Sequence, residues 1–170
     1  LDELIKKLDE KAVIAIDTET SSLNPQEADL VGISLCYEAN QAFYIPVGHK
    51  DRTELKKDIV LKKLKPILED PSIKKVGQNI KYDFIIFKNN GIELSSVEDT
   101  MLLSYTLDAG NNRHNMDTLS ELHLGHKTIS YKDLVGTGKK QLNFADVDIK
   151  PATEYAAEDA DITLRVYEMV

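Results

Sequence analysis

Ala12-Val13-Ile14-Ala15-Ile16-Asp17-Thr18-Glu19 is the stretch from which the rest of the chain can be read. Its first five residues are apolar without a break and rich in β-branched side chains, as expected of a central strand covered on both faces. That strand is predicted to end at Asp17. Because successive side chains alternate along extended backbone, Asp17 and Glu19 project to the same side. Two carboxylates facing a dry core would repel each other at high cost, so they must face solvent or share a cation. On this stretch alone, a polar strand end and a cation site both remain open.

Working outward, Leu1, Leu4, Ile5 and Leu8 recur at helical spacing and predict a short amphipathic helix ending near Lys11. Residues 29–37 and 41–45 read as two further strands, joined through the turn-like Glu38-Ala39-Asn40 as an antiparallel hairpin. The period then changes. Leu55, Ile59, Leu61, Leu64 and Leu68 predict a helix starting near Thr53, with Pro66 close to its end, and residues 73–76 form a short strand. Asn79 is placed to cap a helix that runs through Tyr82, Phe84 and Phe87 to a stop at Gly91. Helices are also predicted over 99–107 and 116–122. The glycine-bearing stretch 125–148 reads as an ordered but irregular connection, and Pro151 suits the first turn of a last helix that carries Tyr155 to the end. Strands first and then alternating helices indicate an α/β fold: one mixed sheet with helices on both faces.

The 170 residues fit one domain, 1–170, and 42% apolar with 29% charged residues is close to globular averages. No run of about twenty apolar residues appears that would cross a membrane. The chain opens on Leu1 with a charged, non-signal-like segment and reads as a piece excised from a longer protein. Its single cysteine, Cys36, lies in an apolar run, which rules out an internal disulfide and suggests a buried thiol in a reducing, intracellular setting. A net charge of −8 argues against a stand-alone nucleic-acid binder, whose affinity comes from Lys and Arg. The same acids, if clustered, would instead recruit cations that then meet an anionic substrate.

Two more carboxylate clusters bear on that choice. In Gly77-Gln78-Asn79-Ile80-Lys81-Tyr82-Asp83, Asn79 and Asp83 share one helix face; an ordinary cap and a first-turn acid favoured by the helix dipole account for both without function. In Tyr155-Ala156-Ala157-Glu158-Asp159-Ala160-Asp161, Tyr155 and Asp159 share a face, and the alanines permit close packing that presses the acid inward. Asp161 has Arg165 one turn on and is the better candidate for a surface pair.

A carboxylate pair at a strand end, one acid on a mid-chain helix and a Tyr-x-x-x-Asp helix, in that order, form a far more specific pattern than any one of them. From about Ala12 to its end the chain resembles the proofreading 3′→5′ exonuclease domain of bacterial DNA polymerase I, in the tyrosine subtype of the DEDD superfamily. The segments Leu30-Val31-Gly32, Tyr44-Ile45-Pro46, Val76-Gly77-Gln78-Asn79, Asp99-Thr100-Met101-Leu102 and His126-Lys127-Thr128-Ile129 extend the match. The resemblance implies a ribonuclease H-like fold, with an antiparallel β1–β3 unit beside parallel strands. It makes Asp17, Glu19, Asp83, Tyr155 and Asp159 the catalytic set, the four acids holding two divalent cations, Mg²⁺ or Mn²⁺, with Asp17 bridging them. Tyr155 and Glu19 would position the attacking water, Tyr155 as an orienter rather than a base given its high phenol pKa. Thr18, Leu23, Asn79, Tyr131 and Arg113 would meet the substrate, Leu23 and Tyr131 by wedging and stacking terminal bases; His114 also matches.

The implied partners are a single-stranded DNA 3′ end and a polymerase domain of the same parent chain, in a monomer without membrane attachment, in the bacterial cytoplasm at the nucleoid. The implied reaction releases nucleoside 5′-monophosphates. Two rivals share the fold: a ribonuclease D-like RNA 3′ exonuclease, and a catalytically idle module that supports a polymerase. Other matches dissolve. His123 and His126 lack accompanying cysteines for a zinc site, and Gly136-Thr137-Gly138-Lys139-Lys140 lacks the spacing of a phosphate loop and shapes a turn instead.

Overall fold

The apolar run at the start of the chain forms the middle of a five-stranded sheet. In the computed structural model, which describes residues 1–51 and 55–170, helix α1 (Asp2–Asp9) leads into β1 (Val13–Thr20). There follow β2 (Leu30–Glu38), β3 (Gln41–Pro46), α2 (Lys57–Leu68), β4 (Lys74–Gly77), α3 (Ile80–Asn89), β5 (Val97–Asp99), α4 (Thr100–Leu107), α5 (Met116–Leu124), α6 (Tyr131–Val135) and α7 (Ile149–Met169). The sheet order is β3-β2-β1-β4-β5. β1 pairs antiparallel with β2 and parallel with β4, so the expected mixed sheet is present with β1 at its centre. The predicted start of the second helix near Thr53 lies outside the described residues, and among those described α2 begins at Lys57.

Three differences from the sequence expectation matter for the site. β1 does not end at Asp17 but continues to Thr20, with its register against β2 slipping between Glu19 and Thr20. Both acids are therefore strand residues, and Glu19 adjoins the register slip. β5 is a short strand where none was expected, because three residues carry too little period to read. The connection 125–148 is less irregular than expected, holding α6 and two short 3-10 turns, Gly138–Lys140 and Phe144–Asp146.

α7 lies across the sheet on small residues. Ala152, Ala156 and Ala160, one turn apart, are fully buried, and Ala160 and Leu164 pack with Ala15 of β1 and Cys36 of β2. Close helix-to-sheet approach needs that stripe, and it brings Tyr155 and Asp159 over β1. Cys36 is buried as expected, and burial pushes its thiol up to about 11. On the other face α1, α2 and α3 cover a larger core that includes Ile14, Ile16, Ile33, Leu64 and Phe87. Gly32 is required where it is: a side chain there would run into the Tyr44 ring. Lys75 of β4 is fully buried, its ammonium donating to the carbonyls of Ile67 (3.4 Å), Asp70 (2.7 Å) and Ile73. The Ile67 and Asp70 carbonyls already accept the backbone N–H of Asp70 and Ile73, so the ammonium is a second donor to each of them.

Candidate active site

Three elements distant in sequence deliver the acids to one place. Asp17 and Glu19 come from β1 and Asp159 from α7; each offers a carboxylate oxygen, and the three oxygens lie within 4.8 Å of one another. Asp83, only 2% exposed, comes from the first turn of α3, and its Oδ1 accepts from the Thr18 backbone N–H at 2.9 Å and from the Thr18 hydroxyl. Beside them opens a cavity of about 830 Å³ whose walls include Asp17, Glu19, Asn79, Asp83, Tyr131 and Tyr155.

The electrostatics are those of unbalanced negative charge. Burial, and then repulsion from Asp83, Glu19 and Asp159, pushes the Asp17 carboxyl well above the carboxylate range; burial and its acidic neighbours do the same to Glu19. Burial raises Asp83 to about 7 although Thr18 works against the shift, and raises Asp159 to about 8, with Glu158 and Asp117 adding to it. The Tyr155 phenol is driven far upward by burial and by Asp159, Glu19 and Asp17, while Tyr155 in turn lowers Asp159 against its burial. Tyr155 is therefore protonated at any physiological pH. Among the described residues no Lys, Arg or His forms an ion pair with any of the four acids. Glu19 Oε1 is buried with no hydrogen-bond partner.

That donor set fits a hard divalent cation. Carboxylate oxygens are the ligands such ions prefer, the orphaned Oε1 is a coordination point waiting for an electrophile, and a positive ion relieves the mutual repulsion.

The remaining candidates are placed differently. Asn79 takes the left-handed conformation (φ 56°) at the start of α3 and uses no side-chain cap. The Asp99 carboxylate, 20 residues on, accepts instead from the backbone N–H of Asn79 (2.8 Å) and Ile80 (3.2 Å), and also caps its own helix through Met101 at 2.9 Å. The expected cap is thus corrected, and the Asn79 side chain is left to line the cavity. Thr18 is buried with its hydroxyl spent on Asp83. Leu23, 95% exposed, and Tyr131 line the cavity. Arg113 is exposed on the segment between α4 and α5 and is not part of the wall; its neighbour His114 bonds Ser104 Oγ at 2.8 Å and accepts from Gln78 through its backbone carbonyl at 2.7 Å. Asp161 pairs with Arg165 at 3.4 Å and lies outside the cluster, as expected.

Sequence reading missed Phe144. Its ring lies parallel to that of Tyr131 (5°, centroids 6.4 Å) and tilted against Tyr155 at 6.2 Å, so one buried ring supports both aromatic residues of the site. The only signal was an isolated aromatic in an aperiodic stretch. The sequence places Tyr82 on α3 without a role; its hydroxyl donates to Ser22 O at 2.5 Å and fixes the loop that carries Leu23.

The chain matches a family model described as 3′-5′ exonuclease (DNA_pol_A_exo1) over residues 1–169. It is 46% identical to DNA polymerase I of Pseudomonas aeruginosa, an alignment covering 98% of this chain and 19% of that protein. It is 39% identical to DNA polymerase I of Borreliella burgdorferi, covering 99% of this chain and 18% of that one. The chain thus spans about a fifth of the length of the curated relatives it matches. Among solved structures, Brucella melitensis NrnC superimposes with a TM-score of 0.71 at 21% identity, covering 94% of this chain and 72% of that one. A structure described as the POL domain of Pol1 from M. smegmatis in complex with DNA primer-template and dNTP gives 0.73 at 15% identity, covering 99% of this chain and 25% of that one. At such identities these two likenesses speak to the fold.

Proposed function

Since the chain belongs to the 3′-5′ exonuclease family of DNA polymerase I, we propose that residues 1–170 form one exonuclease domain that hydrolyses the last phosphodiester of single-stranded DNA 3′ ends, as the proofreading part of a longer polymerase. The observation that carries this reading is the convergence of Asp17, Glu19 and Asp159 oxygens within 4.8 Å, with Tyr155 on the wall of the adjoining cavity. Water attacks phosphorus, the bond to the 3′ oxygen breaks, and a nucleoside 5′-monophosphate leaves.

Asp17, Glu19, Asp83 and Asp159 would hold the divalent ions, Mg²⁺ or Mn²⁺. When bound, the ions acidify water and stabilise charge on the reacting phosphate. Tyr155, fixed in its protonated form, orients the water by hydrogen bonding, and Glu19 helps position it. Asn79 lies on the cavity wall within reach of substrate phosphate or sugar, while Leu23 and Tyr131 present apolar and aromatic surface to the terminal bases.

Relatedness to DNA polymerase I along 98% of the chain favours DNA over RNA as substrate, and the complete acid set favours chemistry over an idle module. Among the described residues no helix is long and apolar enough to cross a membrane. We place the parent protein in the bacterial cytoplasm. The test is release of mononucleotides from 3′-labelled single-stranded DNA with Mg²⁺ or Mn²⁺, beside Asp17→Ala. Release abolished by the substitution supports the reading; no release with either metal at high enzyme concentration turns it to the supporting module.

A further inference from the structure

We infer that Leu142 is a second apolar jaw of the cavity, closing on a nucleobase of the single-stranded end from the side opposite Leu23, and that Asn143 sets the gap between the two. The inference rests on the exonuclease reading of the site and adds a residue that determines how the substrate is gripped.

The Leu23 loop is pinned. Ser22 O accepts from Tyr82 Oη at 2.5 Å and from Thr20 Oγ1 at 3.0 Å, and Ser21 O accepts from Asn143 Nδ2 at 3.2 Å. A loop held at two successive carbonyls that still leaves its leucine 95% exposed has passed over an available burial, which water makes costly. Leu142 repeats the arrangement. Its backbone N–H is fixed to Val135 O at 2.7 Å, and two residues on Phe144 is 1% exposed, so the strand-like segment is anchored. Leu142 is nonetheless 47% exposed and lines the same cavity as Leu23.

Asn143 joins the two. Its Nδ2 reaches across to Ser21 O, while its Oδ1 accepts from Ala145 N at 3.0 Å and starts the 3-10 turn that carries Phe144. One side chain thereby ties the Leu23 loop, the Leu142 segment and the ring beneath Tyr131. Two exposed leucines lining one cavity, with their segments tied together through Asn143, suit a flat, apolar-faced group of any base identity. Stacking of that kind is tolerant of sequence.

The chain has no tryptophan, so an indole introduced at position 142 reports its own surroundings. In an Asp17→Asn background, Leu142→Trp is titrated with a four-residue oligothymidylate and with an abasic chain of equal charge; Ile59→Trp on α2, half exposed and away from the cavity, is the control. Quenching at 142 by oligothymidylate alone, with none at 59, is expected. In the otherwise unmodified chain, Leu142→Ala should raise KM for single-stranded DNA about 10-fold with kcat within about twofold, the scale of one lost stacking contact. No quenching at 142 up to about 1 mM oligonucleotide, well above ordinary non-specific affinity, or equal quenching by the abasic chain, overturns the clamp. Hydrolysis by the unmodified chain alongside that result leaves the exonuclease reading standing. Quenching without hydrolysis by the unmodified chain keeps the clamp and removes the chemistry.

Discussion

Asp83 and Thr18, 65 residues apart, are joined twice: one carboxylate oxygen of Asp83 accepts both the backbone N–H and the hydroxyl of Thr18. Thr18 sits between Asp17 and Glu19, so this bond sets how α3 is seated against the two strand acids. Thr18→Val keeps the shape and removes the hydroxyl donor. It should cost about 1 kcal/mol of stability and lower kcat more than KM, as the acids lose their relative placement. Chemical denaturation and steady-state kinetics measure the two effects; a variant with native kcat would show that the backbone bond alone seats Asp83.

The acid cluster strains the metal-free protein. Repulsion and burial hold Asp17 and Glu19 well above the carboxylate range. Asp17→Asn should therefore abolish hydrolysis while raising metal-free stability by about 0.5–2 kcal/mol, the usual trade between site and scaffold. Mg²⁺ or Mn²⁺ should raise the Tm of the unmodified chain and leave that of the variant nearly unchanged. A variant less stable than the parent without metal would contradict the electrostatic account.

Tyr155 acts as an orienter, because burial and three acids keep its phenol protonated. Tyr155→Phe should lower kcat about 10²-fold with little change in KM, the signature of an interaction made in the transition state. The alkaline side of the pH–rate profile of the unmodified chain should carry no limb from this residue. A fall confined to KM would assign Tyr155 to binding.

His49 is a pH-sensitive fastener on the far side of Phe144. It is buried, with Nε2 at 2.6 Å from the Tyr44 hydroxyl and Nδ1 at 3.0 Å from Val147 O; that carbonyl fixes the proton on Nδ1 and leaves Nε2 as acceptor. Burial lowers its pKa, against smaller opposing effects of the Val147 carbonyl and Asp51. The unfolded chain therefore binds the proton more readily. The stabilisation is complete above the unfolded value, about 6.5, and is lost as pH falls from there through the lowered folded value. Between pH 7.5 and 5 the unmodified chain should lose more stability from this source than His49→Gln. Equal pH slopes in calorimetry would refute it.

Local chemistry determined much of this protein before any tertiary contact is considered. The β-branched run ending in Asp17, the alternation that puts Glu19 on the same side, and the one-turn spacing of Tyr155 and Asp159 over alanines are short-range facts, because periods of two and 3.6 act within a few residues. The sequence order of the acids was enough to suggest the family and the catalytic set. Tertiary structure alone decided which donors and acceptors meet across the fold. It gave the capping of α3 to Asp99 rather than Asn79, spent the Thr18 hydroxyl on Asp83, buried Lys75 among three carbonyls, set Phe144 beneath Tyr131 and Tyr155, and left Arg113 off the cavity wall. No periodicity records such pairings. They are hydrogen bonds and ring contacts set by where the chain brings the groups together, formed because burial on folding takes groups from water and leaves them in need of a partner.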